Sequence, residues 1–300
     1  MEFLDSCPVC EYTQFEPFLS CTDYTVSQEQ FALVCCKRCA FVFTNPRPNI
    51  YEIGRYYEST NYTPHSGGGN SIVVKLYRIV RELTLKKKLK LITRLCSTPG
   101  KILDYGCGSG EFLHTCHRAG WNVFGVDASE IARKHTQLNF NIQAVSPETL
   151  AESTETASFD VISLWHVLEH LHQLHETIEL LKSRLAPAGW LLVAVPNRNS
   201  NDAKRYGQYW AAYDVPRHLY HFRPQDLETL MDRHQLKITE LLPMPFDAYY
   251  VSLLSEQYQG KAGLPRYFKA FMAGFGSNEQ AKNNIGTSSS VLYLIQHKLK

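Results

Sequence analysis

Short apolar runs recur along this chain, with polar stretches between them. They lie near Ile102, Val123, Ile142, Val161 and Leu191, with two more around 238–242 and 291–296. Parallel strands need crossover connections of a dozen or more residues, usually a helix, and most of these intervals are long enough. The pattern predicts an α/β fold built on a doubly wound sheet.

The residues before these runs follow other patterns. Phe15, Phe18, Phe31 and Leu33 alternate with polar residues between two C-x-x-C units. From 72 to 95 apolar residues fall mostly at helical spacing, while lysines and arginines fill much of the rest. We expect a basic helix there. Its basic side chains form either a solvated outer face or a patch that binds anionic lipid, nucleic acid or a phosphate-bearing substrate.

These patterns divide the chain into three segments. Residues 1–50 form a small cysteine-bearing domain, 51–97 a tyrosine-rich linker with the basic helix, and 98–300 the α/β core. An insertion at about 246–286, rich in Tyr, Phe and Gly, interrupts the last two strands. We expect it to be helical and adjacent to the mouth of the substrate site.

Composition narrows the class of protein. The chain has 300 residues, of which 44% are hydrophobic and 20% charged, so it can bury a sizeable core. Its net charge of +2 gives no electrostatic reason to expect nucleic acid as a partner. The first residues do not resemble a signal peptide, and no apolar run approaches membrane-spanning length. We expect a cytoplasmic protein without a membrane span, of unknown oligomeric state.

A glycine-rich turn follows the first core strand. Gly106, Gly108 and Gly110 come directly after the apolar run at Ile102, and Asp104 lies two residues before the first glycine. Glycine lets the main chain approach a ligand closely, whereas a carboxylate would repel a phosphate and suits a cationic group. Asp127, after the second run, can accept hydrogen bonds from both ribose hydroxyls. The turn therefore predicts an adenosine-type cofactor with a cationic end.

The order of these motifs resembles that of class I S-adenosylmethionine (SAM) methyltransferases. Residues 159–163 are similar to their fourth strand, and 185–197 to the turn into their fifth. The resemblance implies a Rossmann-like seven-stranded sheet whose last two strands are antiparallel, with SAM as the cofactor. It implies the following cofactor-binding residues: Asp104, Tyr105, Gly106, Cys107, Gly108, Gly110, Asp127, Ala128, Ser146, Glu148 and Trp165.

The paired cysteines predict a metal site. Cys7 and Cys10, like Cys36 and Cys39, are separated by two residues, and four thiolates suit tetrahedral Zn²⁺. We expect a structural zinc ribbon, with a redox dithiol as the alternative. Cys35 does not have this spacing to Cys39, so we expect it to be a buried neighbour.

The layout also resembles that of sugar C-methyltransferases with an N-terminal zinc-binding domain. In those enzymes a tyrosine-rich segment after the second cysteine pair helps form the substrate site, which here implies a role for Tyr62. The alternative is that tyrosines such as Tyr56 and Tyr57 only pack the ribbon onto the core. The other residues that we expect at the substrate are Trp210, Asp214, Arg217, His221 and Tyr249.

Two histidine clusters could supply a general base, and both follow core strands. His218 is our first choice, because it resembles in chain position the base of zinc-domain sugar methyltransferases; Arg217 stands where an acidic residue often precedes theirs. His166 is the second candidate. With Glu169 and His170 it has the spacing of one helical face, which also matches a zinc peptidase signature.

That second cluster also resembles the E-x-x-E-H segment of ubiquinone-pathway O-methyltransferases, which can hold a divalent cation. The resemblance implies Mg²⁺ as a further cofactor, although His166 replaces the first glutamate. The alternative is that Glu169 and His170 only tie the segment to neighbouring loops.

Three functions fit these observations. The first is a methyltransferase that acts on oxygen or carbon of a small molecule, such as a sugar, lipid, quinone or secondary metabolite. The second is an RNA methyltransferase, since some of these also carry a cysteine-rich module before this core. The third is a SAM-binding protein without turnover.

Overall fold

The computed structural model describes residues 1–58 and 72–298, and for 72–79 it describes the backbone alone. The chain divides into two compact units. The first, here called the ribbon unit, comprises Met1–His65, Leu168–Leu174 and Ala194–Tyr293. The second, the sheet unit, comprises Ser66–Val167, His175–Val193 and Leu294–Lys300.

Strands and helices alternate through most of the chain. In order, the strands are β1 (Phe15–Thr22), β2 (Gln30–Cys36), β3 (Val42–Thr44), β4 (Lys101–Tyr105), β5 (Asn122–Val126), β6 (Ala144–Val145), β7 (Phe159–Trp165), β8 (Leu185–Pro196), β9 (Tyr220–His221), β10 (Leu236–Pro243) and β11 (Ser290–His297). The helices are α1 (Ile72–Leu95), α2 (Glu111–Arg118), α3 (Glu130–Phe140), α4 (Leu150–Ser153), α5 (Leu174–Arg184), α6 (Asn201–Tyr206), α7 (Pro224–Arg233), α8 (Pro245–Tyr258) and α9 (Gly263–Asn283).

The larger sheet has seven strands in the order β10-β11-β8-β7-β4-β5-β6. β4 pairs in parallel with β5 and β7, and β5 pairs in parallel with β6. Ile102, Leu103 and Val161 are completely buried, as expected for central strands of a parallel sheet that is covered on both faces. These findings confirm the predicted α/β fold. The strand expected near Ile142 lies two residues later, at Ala144–Val145.

The smaller sheet has four strands in the order β1-β2-β3-β9 and belongs to the ribbon unit. Its first three strands come from the cysteine-bearing segment, and its fourth pairs Val42 with His221 and Phe43 with Tyr220. A buried cluster joins Phe31 and Leu33 of the same segment to Trp210 and other residues of the later one.

The predicted boundary at residue 50 is therefore not a boundary between compact units. About 50 residues bury too little surface for an independent core, and here they share the core of residues 194–293.

Helices α8 and α9 occupy the predicted insertion at 246–286 and pack against each other. Helix α1 spans the predicted basic segment. Tyr62 and the rest of 59–71 lie outside the described residues. Among the helices of the described chain, none combines the length and the apolar composition needed to cross a membrane.

Candidate functional site

The glycine turn of the sheet unit connects β4 to α2. Gly106, Gly108 and Gly110 all have positive φ angles, of +80°, +53° and +78°. The amides of Gly106 and Cys107 donate to the carbonyl of Val126 at 2.7 and 2.9 Å, so the turn is fixed to the end of β5. This conformation is accessible to glycine at low cost and strained for other residues.

The three glycines differ in what surrounds them. A Cβ on Gly106 would lie 2.4 Å from Cγ2 of Val167, and one on Gly110 would lie 2.6 Å from Oγ1 of Thr136. A Cβ on Gly108 would have no described heavy atom within 4 Å beyond its own chain neighbours. Gly106 and Gly110 are thus required by packing, while Gly108 presents bare main chain to open space, which suits close approach of a ligand.

Asp127 follows β5 and faces the same turn. Its Oδ2 accepts from the Gly108 amide at 2.8 Å, and its Oδ1 accepts from the Ser129 amide at 2.8 Å. Each carboxylate oxygen has a second lone pair, so both can accept a further hydrogen bond. The half-buried carboxylate is therefore held in one orientation and can bind a pair of vicinal hydroxyls.

Asp104, near the end of β4, is 3% exposed and accepts a hydrogen bond from the Ser163 hydroxyl at 2.6 Å. Burial raises the pKa of this carboxyl to about 6, although Ser163 and nearby Lys88 both oppose the shift. A buried carboxylate near the glycine turn favours a cationic ligand over an anionic one.

The other predicted cofactor residues lie around the same edge of the sheet unit. Tyr105 and Cys107 are buried beside the turn, Ser146 precedes a 3-10 turn that contains Glu148, and Ala128 is exposed after β5. Trp165 ends β7; its ring lies edge-on to Phe112, and the Lys88 ammonium lies 4.0 Å from its centroid.

His166 follows β7 directly in the sheet unit, in a left-handed conformation with φ +58°. Glu169 and His170 belong to the ribbon unit and lie in a single 3-10 turn, Leu168–His170. The prediction that an α-helix places His166, Glu169 and His170 on one face is therefore wrong, because φ changes sign at His166 and a 3-10 turn follows.

The four predicted metal cysteines come together in the ribbon unit. The sulfurs of Cys7, Cys10, Cys36 and Cys39 lie within 4.8 Å of one another, and Cys35 is not part of this group. The amides of Glu11 and Ala40 donate to the carbonyls of Cys7 and Cys36 at 2.8 Å, which closes a tight turn around each pair.

The chemistry of this cluster fits a divalent metal. Burial raises the pKa of Cys7, and it raises that of Cys39 to about 12. These thiols are therefore protonated at neutral pH without a cation, and metal binding would release their protons. Four sulfur donors at this spacing are typical of structural zinc sites.

Arginines from later in the ribbon unit hold the backbone of the cysteine turns. Arg233 donates to the carbonyl of Val9 at 2.7 Å, and Arg223 to that of Cys39 at 2.8 Å. Arg198 donates to the carbonyl of Ala40. Three positive charges beside four thiolates offset the negative charge that a zinc complex of this type carries.

His218, also in the ribbon unit, is 8% exposed and its ring is oriented by a backbone carbonyl. Its Nδ1 lies 2.8 Å from the carbonyl oxygen of Ala212, which can only accept. Nδ1 therefore carries the proton of the neutral ring, and Nε2 has the free lone pair. Nε2 lies 3.9 Å from Asp214 Oδ2 and 4.0 Å from Glu169 Oε1. These carboxylates would stabilise an imidazolium.

Asp214 is held by a buried ion network. Arg217 donates from Nε to Asp214 Oδ2 at 3.0 Å and from Nη2 to Asp214 Oδ1 at 2.6 Å. Nη2 also donates to Asp23 at 3.0 Å, and Nη1 to the carbonyl of Tyr56 at 2.8 Å. Burial raises the pKa of Asp214, but Arg217 outweighs this effect and the net pKa lies below its usual value. Asp214 is thus ionised beside His218.

Glu169, His170 and His218 each place one ligand atom within 4.8 Å of the others. Nδ1 of His170 lies 3.0 Å from both the Tyr57 hydroxyl and the Arg217 carbonyl. Burial, aided by His218, lowers the pKa of His170 to about 4, so its ring is neutral. Two imidazoles and one carboxylate are a donor set typical of zinc or iron, whereas Mg²⁺ prefers oxygen ligands.

A pocket of the ribbon unit adjoins this network. It is lined by Tyr24, Trp210, Tyr213, Asp214, Arg217 and Tyr258, with smaller residues between them. Tyr24 and Tyr258 stack with ring centroids 4.5 Å apart. The cavity volume among these side chains is about 10 Å³, enough for about one water molecule, so they pack against each other and leave no room for a ring-shaped ligand.

The remaining predicted substrate residues take other positions. His221 is buried, and its Nε2 lies 3.2 Å from the Thr44 hydroxyl. Tyr249 stacks on Phe271 between α8 and α9 and is not among the described residues that line the pocket. Tyr24, Asp23 and Tyr258 were not predicted as site residues. Tyr24 and Asp23 follow β1 in the cysteine-bearing segment, and Tyr258 ends α8 in the insertion that was expected beside the substrate mouth.

Residues 77–241 match the model of a family described as "Methyltransferase domain". Among curated proteins, the chain is 32% identical over 155 residues to a ubiquinone biosynthesis O-methyltransferase of Sinorhizobium fredii, a match that covers 47% of this chain and 61% of the relative. A protein of the same name from Paraburkholderia phymatum is 33% identical over 120 residues, covering 37% and 51%. The matched region thus spans less than two thirds of each of these relatives.

Solved structures resemble this fold at low sequence identity. A putative sarcosine dimethylglycine methyltransferase from Galdieria sulphuraria has a TM-score of 0.51 at 14% identity, covering 73% of this chain and 86% of that one. Geranyl diphosphate C-methyltransferase from Streptomyces coelicolor A3(2) has a TM-score of 0.50 at 15% identity, covering 78% and 87%. These likenesses confirm the predicted fold.

Proposed function

This chain belongs to the methyltransferase-domain family with a class I SAM-dependent fold, and we propose that it methylates oxygen or carbon of a small molecule. The observation that carries the proposal is the glycine turn of β4, whose Gly108 main chain lies open beside the fixed carboxylate of Asp127. The acceptor, the base and the metal are further parts of the same proposal.

The residues around the turn fit SAM. Asp127 would bind the ribose hydroxyls, Gly108 would allow close approach of the main chain, and Asp104 would attract the cationic amino-acid end. When bound, SAM supplies a methyl group on a positively charged sulfur. Ser146, Glu148 and Trp165 lie at the same edge and are proposed to border the adenine and the methionine portion.

His218 is proposed as the general base, the role that the sequence analysis gave it. The Ala212 carbonyl fixes its tautomer, so that Nε2 can take a proton from an acceptor hydroxyl or acidic carbon. Asp214 and Glu169 would stabilise the positive charge that then develops on the ring. We propose that Asp214, four residues before His218 and across a turn, is the acidic partner whose place in the sequence Arg217 occupies.

The acceptor is proposed to be a ring compound that bears a hydroxyl group. The aromatic side chains around the Asp214–Arg217 ion pair are of a type that packs against rings, and they would have to move apart to admit one, since the cavity among them is about 10 Å³. The curated relatives are named for methyl transfer to oxygen in ubiquinone biosynthesis, which supports a phenolic hydroxyl as the first acceptor to test. The four cysteines are proposed to bind a structural Zn²⁺.

The decisive experiment compares His218→Ala with Asp127→Ala in an assay of S-adenosylhomocysteine formation with phenols, catechols and sugar nucleotides. His218→Ala should lower kcat by about 10²- to 10⁴-fold, because proton removal contributes in the transition state. Its affinity for S-adenosylhomocysteine should stay within about twofold of the wild type, since donor binding does not use the base.

Asp127→Ala is the matched control, with the opposite expectation. Loss of hydrogen bonds to a charged group should weaken cofactor binding by about 10- to 100-fold, as measured by calorimetry. A wild-type protein that binds S-adenosylhomocysteine but forms no product with any acceptor would favour a non-catalytic role. Full turnover by His218→Ala would remove His218 as the base and leave the methyltransferase proposal standing.

A further inference from the structure

Helix α3 of the sheet unit buries a polar side chain and exposes apolar ones. Thr136 is completely buried, whereas Ile131 and Leu138 of the same helix are 82% and 84% exposed. Burial of a hydroxyl is unfavourable unless the group is hydrogen-bonded, and an apolar residue is the usual occupant of such a position. The buried hydroxyl of Thr136 therefore needs a specific reason.

The Thr136 hydroxyl bonds outside its own helix. A threonine within a helix commonly donates to the carbonyl four residues earlier. Threonines of α1, α2 and α7 do so at 2.8 to 3.0 Å: Thr84, Thr93, Thr115 and Thr229. Thr136 instead donates to the carbonyl of Gly108, in the glycine turn, at 3.2 Å. A hydroxyl has one proton, so Thr136 gives this bond to the turn and not to α3.

The preceding residue of α3 holds the next carbonyl of the turn. Nδ1 of His135 lies 3.1 Å from the carbonyl oxygen of Ser109, which can only accept, so His135 donates there. Two consecutive side chains of α3 thus fix two consecutive peptide groups of the turn.

Gly108 is held at both polar groups of its backbone. Its amide donates to Oδ2 of Asp127 at 2.8 Å, and its carbonyl accepts from Thr136. A residue without a side chain has more backbone conformations available than any other, so it keeps one orientation only where its neighbours impose it. Asp127 and Thr136 impose that orientation, one from the end of β5 and the other from α3.

These hydrogen bonds form a closed circuit. Oδ1 of Asp127 accepts from the amide of Ser129, which is the N-cap of α3 and accepts from the Ala132 amide at 3.3 Å. Thr136 lies about two turns further along the same helix and returns to Gly108. Loss of the Thr136 bond would therefore free Gly108 and, through the Gly108 amide, loosen the hold on Asp127.

Packing does not account for the hydroxyl. A Cβ on Gly110 would lie 2.6 Å from Oγ1 and 2.7 Å from Cγ2 of Thr136, so the threonine side chain fills the space beside Gly110. Valine has nearly the same shape and would fill this space equally well, but it cannot donate a hydrogen bond. What threonine adds at this position is the bond to Gly108.

We propose that Thr136 is a positioning residue for the cofactor, which holds the Gly108 main chain in the orientation that the bound cofactor meets. The inference rests on the proposed binding of SAM at the glycine turn. A site that already has its bound conformation loses less conformational entropy on binding, so the Thr136 bond should raise cofactor affinity without a contact to the ligand.

Calorimetry with S-adenosylhomocysteine on the full-length, zinc-loaded protein tests the proposal. Thr136→Val removes the hydroxyl and keeps the volume, so it should weaken binding by about tenfold, the effect of one hydrogen bond. Thr136→Ser keeps the hydroxyl and should bind within about twofold of the wild type. Both variants should unfold at a lower temperature, because serine lacks a buried methyl group and valine leaves a carbonyl unpaired.

Thr115→Val is the matched control, since the Thr115 hydroxyl donates to the Glu111 carbonyl of its own helix, and this variant should bind like the wild type. Wild-type affinity in Thr136→Val, or losses of affinity that follow the losses of stability in both Thr136 variants, would overturn the proposal. If Thr136→Val does not fold, Thr136→Cys replaces it with the same expected loss, because a thiol of similar size donates only weakly. A wild-type protein that does not bind S-adenosylhomocysteine would instead overturn the proposed cofactor site itself.

Discussion

Asp104 shows how a single residue couples stability to binding. The carboxyl group is buried, and burial raises its pKa from 3.8 to about 6. Because the folded pKa lies above the unfolded one, this group favours folding fully only below about pH 4, and that contribution is lost as pH rises through 6. At neutral pH the protein without cofactor therefore holds an unfavourable buried charge, which a cationic ligand would offset.

Asp104→Asn should separate the two effects. The amide still accepts from Ser163 and carries no charge, so the cofactor-free variant should be more stable than the wild type by about 2 to 3 kcal/mol at pH 8. Near pH 4 the two proteins should differ little. The variant should also bind S-adenosylhomocysteine more weakly, because the partner for its ammonium group is gone.

Urea denaturation at pH 4 and pH 8, with calorimetry across the same range, measures both quantities. In the wild type, affinity for S-adenosylhomocysteine should fall as pH drops below about 6, and in Asp104→Asn this dependence should vanish. Equal stability of the two proteins at pH 8 would show that the buried charge costs nothing. Unchanged affinity would place the amino-acid end of the cofactor elsewhere.

The surroundings of a residue could be predicted from sequence only where its neighbours are local. The glycines and Asp127 form a compact pattern across two consecutive strands, so their arrangement followed from the motif. The acidic partners of His218 could not be predicted in this way. Glu169 lies 49 residues before His218 in the sequence, and Asp214 reaches it through a turn. Asp23 is more distant still, and its contact with Arg217 depends on the ribbon fold.

At the scale of elements, the strand, turn and helix at residues 101–118 depend on glycine for two separate reasons. Gly106 needs positive φ and also meets Val167, whereas Gly108 needs positive φ alone. Both positions share the stability cost of positive φ, and only Gly106 adds the cost of overlap with Val167. A side chain at Gly108 would instead enter open space where a ligand can approach.

Gly106→Ala and Gly108→Ala should differ in the property that they damage. Gly108→Ala should lower the free energy of unfolding by only about 1 to 2 kcal/mol, the cost of left-handed backbone, yet weaken binding of S-adenosylhomocysteine because its methyl group enters the open space. Gly106→Ala adds an overlap with Val167 and should be the less stable variant. Thermal unfolding and calorimetry measure both; full affinity in a folded Gly108→Ala would show that the cofactor does not approach that main chain.

The long apolar strands were predictable because burial on both faces leaves a near-continuous apolar signal. The two-residue strand β9 was not, since Tyr220–His221 is too short to show a period. Its pairing with β3 joins residues about 180 apart, and this non-local contact decides that the ribbon is part of a larger unit.

At the scale of the molecule, the resemblance to class I SAM-dependent methyltransferases is confirmed by the family match and the fold. The ribbon, expected as a separate domain, shares a compact unit with the proposed base. Thr44 of β3 donates from its amide to the Leu219 carbonyl at 3.0 Å and from its hydroxyl to the His218 carbonyl at 3.0 Å. The cysteine-bearing segment thus contacts the backbone of the candidate base directly.

Removal of the metal should therefore loosen parts of the ribbon unit that lie far from the cysteines in sequence. Without a cation the cysteine turns lose the ion that holds them, and Arg223 and Arg233 lose the fixed carbonyls to which they donate. Hydrogen exchange after chelation, or in Cys10→Ser, should show reduced protection in β9 and α7 and unchanged protection in β4, β5 and β7. Cys35→Ser changes a half-buried neighbour outside the cluster, and this variant should exchange like the wild type.

Protection in β9 that survives chelation would mean that the later segment holds the ribbon in place without metal, since the β3–β9 pairing would then be stable by itself.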